Sequence, residues 1–360
     1  VTDQEPQEFT FEYQGSGTSV AEYAFTFEDE QTTVELSKAD LTDKKELPGA
    51  SLKVTDEDGN TVDEWVSKEE AHIIKGLIVG KKYKMTETKP ADGYVTAESI
   101  EFTVENTKEV QKHQMLDDVT KVEISKKDIT DSSEVPGAKL IILDKDGKKV
   151  ESWTSTDKPH MVEKLPVGEY TLREEQAPDG YLIAEDVKFT VKDTGKVQKV
   201  KMKDAHPYGK LVIKKTDSTS KAALSGAEFE LREKESGKVV EKLVTDKTGT
   251  ATSGKLPIAT YKNGKVEKTV EYILVETKAP NGYELSNKKE EIRFEYKDGK
   301  TKVIEIVKEI KNTKSPSGST PTGNSPKTGD STNIWLPILL AVLSACGIGG
   351  VIWYKKKKGN

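Results

Sequence analysis

Tyr170-Thr171-Leu172-Arg173-Glu174-Glu175-Gln176-Ala177-Pro178-Asp179-Gly180-Tyr181 sets Tyr170, Leu172 and Glu174 at one parity and then breaks at a Pro-Asp-Gly turn signal. Alternate residues of a strand face the same side of its sheet, so the stretch reads as a strand with a glutamate on its apolar face. The pattern recurs from Tyr83 through Met85 and Glu87 to Tyr94, and from Tyr272 through Leu274 and Glu276 to Tyr283. In all three copies the closing tyrosine lies seven residues after the glutamate.

Each glutamate belongs to a larger set. Upstream, a lysine continues an apolar stripe: Lys38 after Val34 and Leu36, Lys126 after Val122 and Ile124, Lys215 after Leu211 and Ile213. Downstream, a strand closes on an acceptor: Asp117 with Met115, Asp204 with Val200 and Met202, and Asn312 with Ile310, although Lys308 interrupts the third stripe. The lysines recur after 88 and 89 residues, and the acceptor follows the glutamate by 30, 30 and 36. A period this long means tandem domains.

Burying an isolated charge is costly unless it is paired or neutralised. Three readings of the sets follow. They are buried lysine–carboxylate ion pairs, or surface residues in register by chance, or the reactants of an intramolecular isopeptide bond. In an apolar site desolvation disfavours both charged forms, so a lysine loses its proton and a glutamate keeps one. A neutral amine held against a carboxyl or carboxamide is then a nucleophile beside an electrophile, with the protonated glutamate polarising the carbonyl and relaying protons. The third reading expects Lys38–Asp117, Lys126–Asp204 and Lys215–Asn312 bonds, with Glu87, Glu174 and Glu276 as catalysts. Asp118 and Asn106 stand close enough in sequence to be alternative acceptors in the first domain.

Ser37-Lys38-Ala39-Asp40 and Ser125-Lys126-Lys127-Asp128, each followed ten residues on by Pro48-Gly49-Ala50 or Pro136-Gly137-Ala138, resemble the B-type domains of collagen adhesins and the SpaA-like pilins of Gram-positive bacteria. The Glu-x-x-x-Pro-x-Gly-Tyr box of that family is met by the second and third copies, whereas Pro90 of the first stands one position early. The resemblance covers roughly residues 32–314. It implies an all-β chain of prealbumin-like, or inverse immunoglobulin-like, β-sandwiches with the lysine on the first strand, the acceptor on the last and the glutamate as catalyst.

Runs rich in Val, Ile, Thr, Tyr and Phe that stop at Asp58-Gly59-Asn60, Asp146-Gly147 and Asp298-Gly299 also predict sandwiches, with those stops as hairpin turns. The third copy carries an insertion around Thr260 to Lys268, read as a long hairpin that could bind something.

The C-terminus predicts the location. Residues 315–332 are a Ser/Pro/Gly/Thr linker, Ile334 to Tyr354 are 21 nearly uncharged residues able to span a bilayer, and Lys355 to Lys358 place the end in the cytoplasm. Ser325-Pro326-Lys327-Thr328-Gly329 resembles the Leu-Pro-x-Thr-Gly signal read by sortases, with serine in place of leucine. That resemblance implies cleavage between Thr328 and Gly329 and transfer of the Thr328 carboxyl to a cell-wall amine in peptidoglycan, or to a pilin lysine. A plain single-pass anchor is the alternative.

The chain carries 56 basic and 62 acidic residues, net −6, with no basic bias towards nucleic acid. Its one cysteine, Cys346, lies in the apolar span, so isopeptide bonds would take the stapling role that small extracellular domains often need. His72, His113, His160 and His206 have no ligand spacing, so no metal site and no cofactor are expected. No Ser/His/Asp set, phosphate loop or other turnover-enzyme signature is present. Residues 1–31, with Phe9-x-Phe11-x-Tyr13 and Tyr23-x-Phe25-x-Phe27 and no signal peptide, read as the end of an upstream domain of a longer protein.

The expected layout is therefore three sandwiches over 32–118, 119–206 and 207–314, linker and sorting motif over 315–332, a transmembrane helix over 333–354 and a basic tail over 355–360. The function expected is a wall-anchored stalk, as an adhesin or a minor, basal pilin, displaying an upstream head that meets a host or matrix ligand. The alternatives are spacer modules of a surface enzyme whose catalytic domain lies upstream, or a pilus backbone subunit. The backbone reading lacks a Tyr-Pro-Lys pilin motif.

Overall fold

The computed structural model describes residues 29–316 together with Glu8, Thr10, Gly15 and Ser16. The aromatic alternations at Phe9 to Tyr13 and Tyr23 to Phe27, the sorting motif Ser325 to Gly329, the apolar span and the lysine tail lie outside the described residues.

The first repeat has seven strands: β1 (Thr33–Asp40), β2 (Ser51–Thr55), β3 (Thr61–Val66), β4 (His72–Lys75), β5 (Lys82–Lys89), β6 (Ile100–Thr103) and β7 (Gln111–Asp117). They form two sheets, β4-β1-β7 and β3-β2-β5-β6. The second repeat copies this with β8 (Lys121–Asp128), β9 (Lys139–Leu143), β10 (Lys149–Thr154), β11 (His160–Glu163), β12 (Gly168–Gln176), β13 (Val187–Val191) and β14 (Gln198–Asp204), in sheets β11-β8-β14 and β10-β9-β12-β13.

The third has β15 (Tyr208–Asp217), β16 (Glu228–Glu233), β17 (Val239–Val244), β18 (Thr250–Thr252), β19 (Leu256–Pro257), β20 (Ala259–Lys262), β21 (Lys265–Thr269), β22 (Glu271–Lys278), β23 (Lys289–Arg293) and β24 (Val303–Asn312). Here β15 pairs with β18, β19 and β24, the facing sheet runs β17-β16-β22-β23, and β20-β21 is a separate ribbon. Among the described residues every regular element is a strand.

The alternation of the sequence is the alternation of burial. β1 runs with Val34, Leu36 and Lys38 inward, and β5 with Tyr83, Met85 and Glu87 inward. Each sandwich closes over its own core, with Leu52, Met85 and Met115 in the first, Leu140, Leu172 and Met202 in the second, and Phe229, Leu274 and Phe294 in the third. Within the sheets only the first and last strands of a repeat pair in parallel: β1 with β7, β8 with β14, β15 with β24.

One expectation is corrected. Asp58-Gly59-Asn60 and Asp146-Gly147 close hairpins, but Asp298-Gly299 does not, because β23 pairs with β22 and β24 with β15, so the turn crosses between sheets. Its Gly299 carbonyl accepts the N–H of Ile183 in the second sandwich at 2.7 Å. The insertion is a hairpin, β20-β21, and what it meets is its neighbour. Tyr261 donates its hydroxyl to the Gly180 carbonyl at 2.8 Å and stacks on His206 with ring centroids 3.5 Å apart. Val135, Ala177 and Tyr181 form an apolar cluster into which Tyr261 packs.

The first joint is tied differently. Thr120 at the start of the second domain donates its N–H to the Gly93 carbonyl at 3.0 Å, and Thr96 donates its hydroxyl and N–H to Asp193 at 2.7 and 2.9 Å.

Candidate functional site

The parallel register positions the triads. Lys38 lies opposite Met115, two residues short of Asp117; Lys126 lies opposite Met202 and Lys215 opposite Ile310 in the same offset. A long side chain reaching diagonally along the strand therefore meets the acceptor. Lys38 Nζ donates to Asp117 Oδ1, Lys126 Nζ to Asp204 Oδ1 and Lys215 Nζ to Asn312 Oδ1. The glutamate enters from the facing sheet, with carboxylate-to-Nζ distances of 2.9 Å at Glu87, 2.9 Å at Glu174 and 3.0 Å at Glu276. All nine residues are buried, none more than 4 % exposed.

Each glutamate is aimed by the backbone ten residues on. Ala97 donates its N–H to Glu87 Oε2 at 2.6 Å, Ala184 to Glu174 Oε2 at 2.7 Å and Ser286 to Glu276 Oε2 at 2.9 Å. The turn between them is the same in all copies: Tyr94, Tyr181 and Tyr283 donate N–H to the carbonyls of Ala91, Pro178 and Pro280. Pro90, one position early, thus leaves the loop intact. Gly93, Gly180 and Gly282 sit at φ of +86°, +89° and +82°, a left-handed conformation that a residue without Cβ enters at no steric cost.

The chemistry of the acceptor divides the sites. Burial pushes the carboxyls of Asp117 and Asp204 up to about 7; the adjacent lysine opposes this and the adjacent glutamate reinforces it. In these sites the buried oxygens Asp117 Oδ2, Glu174 Oε1 and Asp204 Oδ2 lack a hydrogen-bond donor, and Glu87 Oε1 meets only the Lys38 amine at 2.9 Å. A proton held on one carboxyl supplies it. In the third site the amide does so: Asn312 Nδ2 donates to Glu276 Oε1 at 3.0 Å and Oε2 at 3.2 Å. Burial lowers the Lys215 ammonium below the ordinary lysine range, with Glu276 opposing. A neutral amine beside a neutral carboxyl or carboxamide in a dry site is the arrangement that amide formation requires.

Among the alternatives, Asp118 is engaged by Lys121 at 2.8 Å rather than by Lys38, and Asn106 is exposed. The histidines stack on rings instead: His72 on Trp65, His113 on Phe102, His160 on Trp153 and His206 on Tyr261. No group of three metal-ligating side chains occurs among the described residues.

The family described as SpaA, prealbumin-like fold domain, matches the sequence three times, over residues 32–118, 120–206 and 209–310. The chain belongs to this family, as a series of SpaA-like pilin domains. Among solved structures it is similar to the Bacillus anthracis TIE protein, at 27 % identity and a TM-score of 0.53, covering 79 % of this chain and 52 % of that one. The chain thus spans about half the length of that relative. It is also similar to BcpA, the major pilin subunit of Bacillus cereus, at 18 % identity, TM-score 0.47 and coverage of 79 % and 100 %. For the full-length major pilin SpaD of Corynebacterium diphtheriae the values are 19 %, 0.37, 81 % and 99 %. No curated protein sequence matches the chain.

Proposed function

We propose that the chain is the stalk of a cell-wall-anchored surface protein, an adhesin or a minor pilin, whose three sandwiches are each locked by a self-formed isopeptide bond. In the first two, the Lys38 or Lys126 amine attacks the neutral Asp117 or Asp204 carboxyl carbon, the C–O bond breaks, and the hydroxyl leaves as water with a proton from the amine. In the third, Lys215 displaces the Asn312 amide nitrogen as ammonia. Glu87, Glu174 and Glu276 carry the proton from amine to leaving group and are regenerated. The observation that carries this reading is the burial of three identical lysine–glutamate–acceptor contacts across the one parallel strand pair of each domain.

The same strand pair explains the mechanical role. Each bond joins the first strand to the last over 79, 78 or 97 residues, so tension entering a domain leaves through the amide and bypasses most of the sheet. In this reading a sortase then cleaves after Thr328 and joins that carboxyl to peptidoglycan or a pilin lysine, and an upstream head meets the host ligand. The test is to pull residues 32–314 end to end: the unaltered protein should give almost no unfolding extension, and Lys126→Ala should restore one domain's worth. An unaltered protein that unravels domain by domain refutes the stalk.

A further inference from the structure

Every repeat carries a second buried carboxylate on the lysine strand, two residues beyond the lysine: Asp40, Asp128 and Asp217. The register sets each directly opposite the acceptor, Asp40 against Asp117, Asp128 against Asp204 and Asp217 against Asn312. Its Oδ2 accepts the hydroxyl of the tyrosine that closes the glutamate loop: Tyr94 at 2.8 Å, Tyr181 at 2.7 Å, Tyr283 at 2.9 Å. Its Oδ1 accepts a backbone N–H from the turn that ends the strand, at Thr42, Thr130 and Thr219.

The same tyrosine loop also grips the acceptor strand. Val95, Leu182 and Glu284, one residue after the tyrosine, donate N–H to the carbonyl one residue after the acceptor, at 2.9, 2.9 and 3.0 Å. Leu41, Ile129 and Ser218, one residue after the aspartate, donate to the acceptor's own carbonyl at 2.8, 3.1 and 2.9 Å. One loop that begins at the glutamate is thereby fastened to both strands that bear the reactants.

We propose that the Tyr–Asp pair of each repeat is the positioning pair for its ligation, fixing lysine strand, acceptor strand and glutamate loop in the register that puts the amine on the acceptor carbon. This rests on the reading of the triads as ligation sites. Neither member touches the reacting atoms. A hydroxyl donated to a buried carboxylate is a strong bond, and its loss both frees the loop and strips the carboxylate of a donor. Displacing reactants by about 1 Å can cost on the order of a hundredfold in rate.

The following domain reaches both of the first two pairs, one directly and one through a ring. Lys164 donates to the Tyr94 hydroxyl at 2.5 Å and to Asp40 Oδ2 at 3.3 Å, whereas at the second pair His206 of the same domain places Nε2 2.9 Å from Asp128 Oδ2 and the third domain's Tyr261 stacks on His206. The third pair, Asp217 and Tyr283, has no such cap among the described residues, so it isolates the effect of the pair itself.

The experiment recovers the full chain still unligated from denaturant-solubilised inclusion bodies, with absence of the crosslinks checked by intact mass, refolds it, quenches it at intervals, and reads each crosslinked peptide by mass. Tyr283→Phe should slow Lys215–Asn312 ligation about tenfold or more once the domain has folded by circular dichroism, with the other two bonds forming at the unaltered rate. Asp217→Asn, which keeps an oxygen for the hydroxyl or the turn, should recover most of the rate lost in Asp217→Ala. Ligation in Tyr283→Phe at the unaltered rate overturns the proposal, as does slowing that merely tracks the folded fraction in all three variants. An unaltered chain that never ligates overturns the triad reading as well, and is distinguished by the absence of all three crosslinked peptides.

Discussion

In the proposed ligation Glu174 is the proton carrier of the second domain, and Glu174→Gln removes that role while conserving the shape of the side chain. The amide oxygen can still accept the Ala184 N–H now bound at 2.7 Å, and no cavity opens beside Lys126 and Asp204. What is lost, on that proposal, is the covalent closure of a 78-residue loop. On the chain-entropy treatment of a covalent crosslink, that closure is worth about 4.5 kcal/mol. Unfolding entropy is about 2.1 cal/mol/K per residue, or about 0.18 kcal/mol/K over the matched segment 120–206. The melting temperature of this domain should therefore fall by about 25 °C. Intact mass measures the missing dehydration and calorimetry measures the transition, with the first and third domains as internal references. Two results would refute the reasoning. If the variant still loses all three small molecules, Glu174 is not the proton carrier; if the bond is absent but the transition moves by less than about 5 °C, loop closure is not the source of stability.

Two further outcomes are expected. Because burial lifts Asp117 and Asp204 to about 7, their carboxyls ionise above that pH and become poor electrophiles, so ligation of the first two domains should slow as pH rises from 7 to 9. Asn312 has no such limb, and identical pH profiles for all three crosslinked peptides after refolding would contradict the assignment. Thr328→Ala should leave the protein in the membrane fraction of the host cell, whereas the unaltered chain should be released only by cell-wall hydrolysis; detergent release of the unaltered chain with its lysine tail attached would point to a plain membrane anchor.

The strand content, the three-fold repetition and the inward face of every triad residue were legible in the sequence, because the side-chain period of a strand is local and a one-residue slip would expose the whole stripe. Glu87, Glu174 and Glu276 announce themselves by standing where Tyr83 and Met85, or their counterparts, dictate an apolar neighbour. The position of the tyrosine was equally visible, but its purpose was not. That the hydroxyl of Tyr181 ends on Asp128, 53 residues earlier, depends on how two sheets face each other, which no local period encodes.

Only the tertiary structure decided that first and last strands run parallel with the lysine two residues short of its acceptor, the offset that lays each lysine amine against its acceptor. It also decided that Asp117 rather than Asp118 faces Lys38, since neighbours along a strand point to opposite sides and Asp118 turns outward to Lys121. The hairpin at Ala259 to Thr269 shows the same division most plainly: its presence was read from the extra length of the third copy, whereas its partner, the ring of His206, was not. Local sequence fixes which groups a strand presents; long-range register fixes which groups they meet.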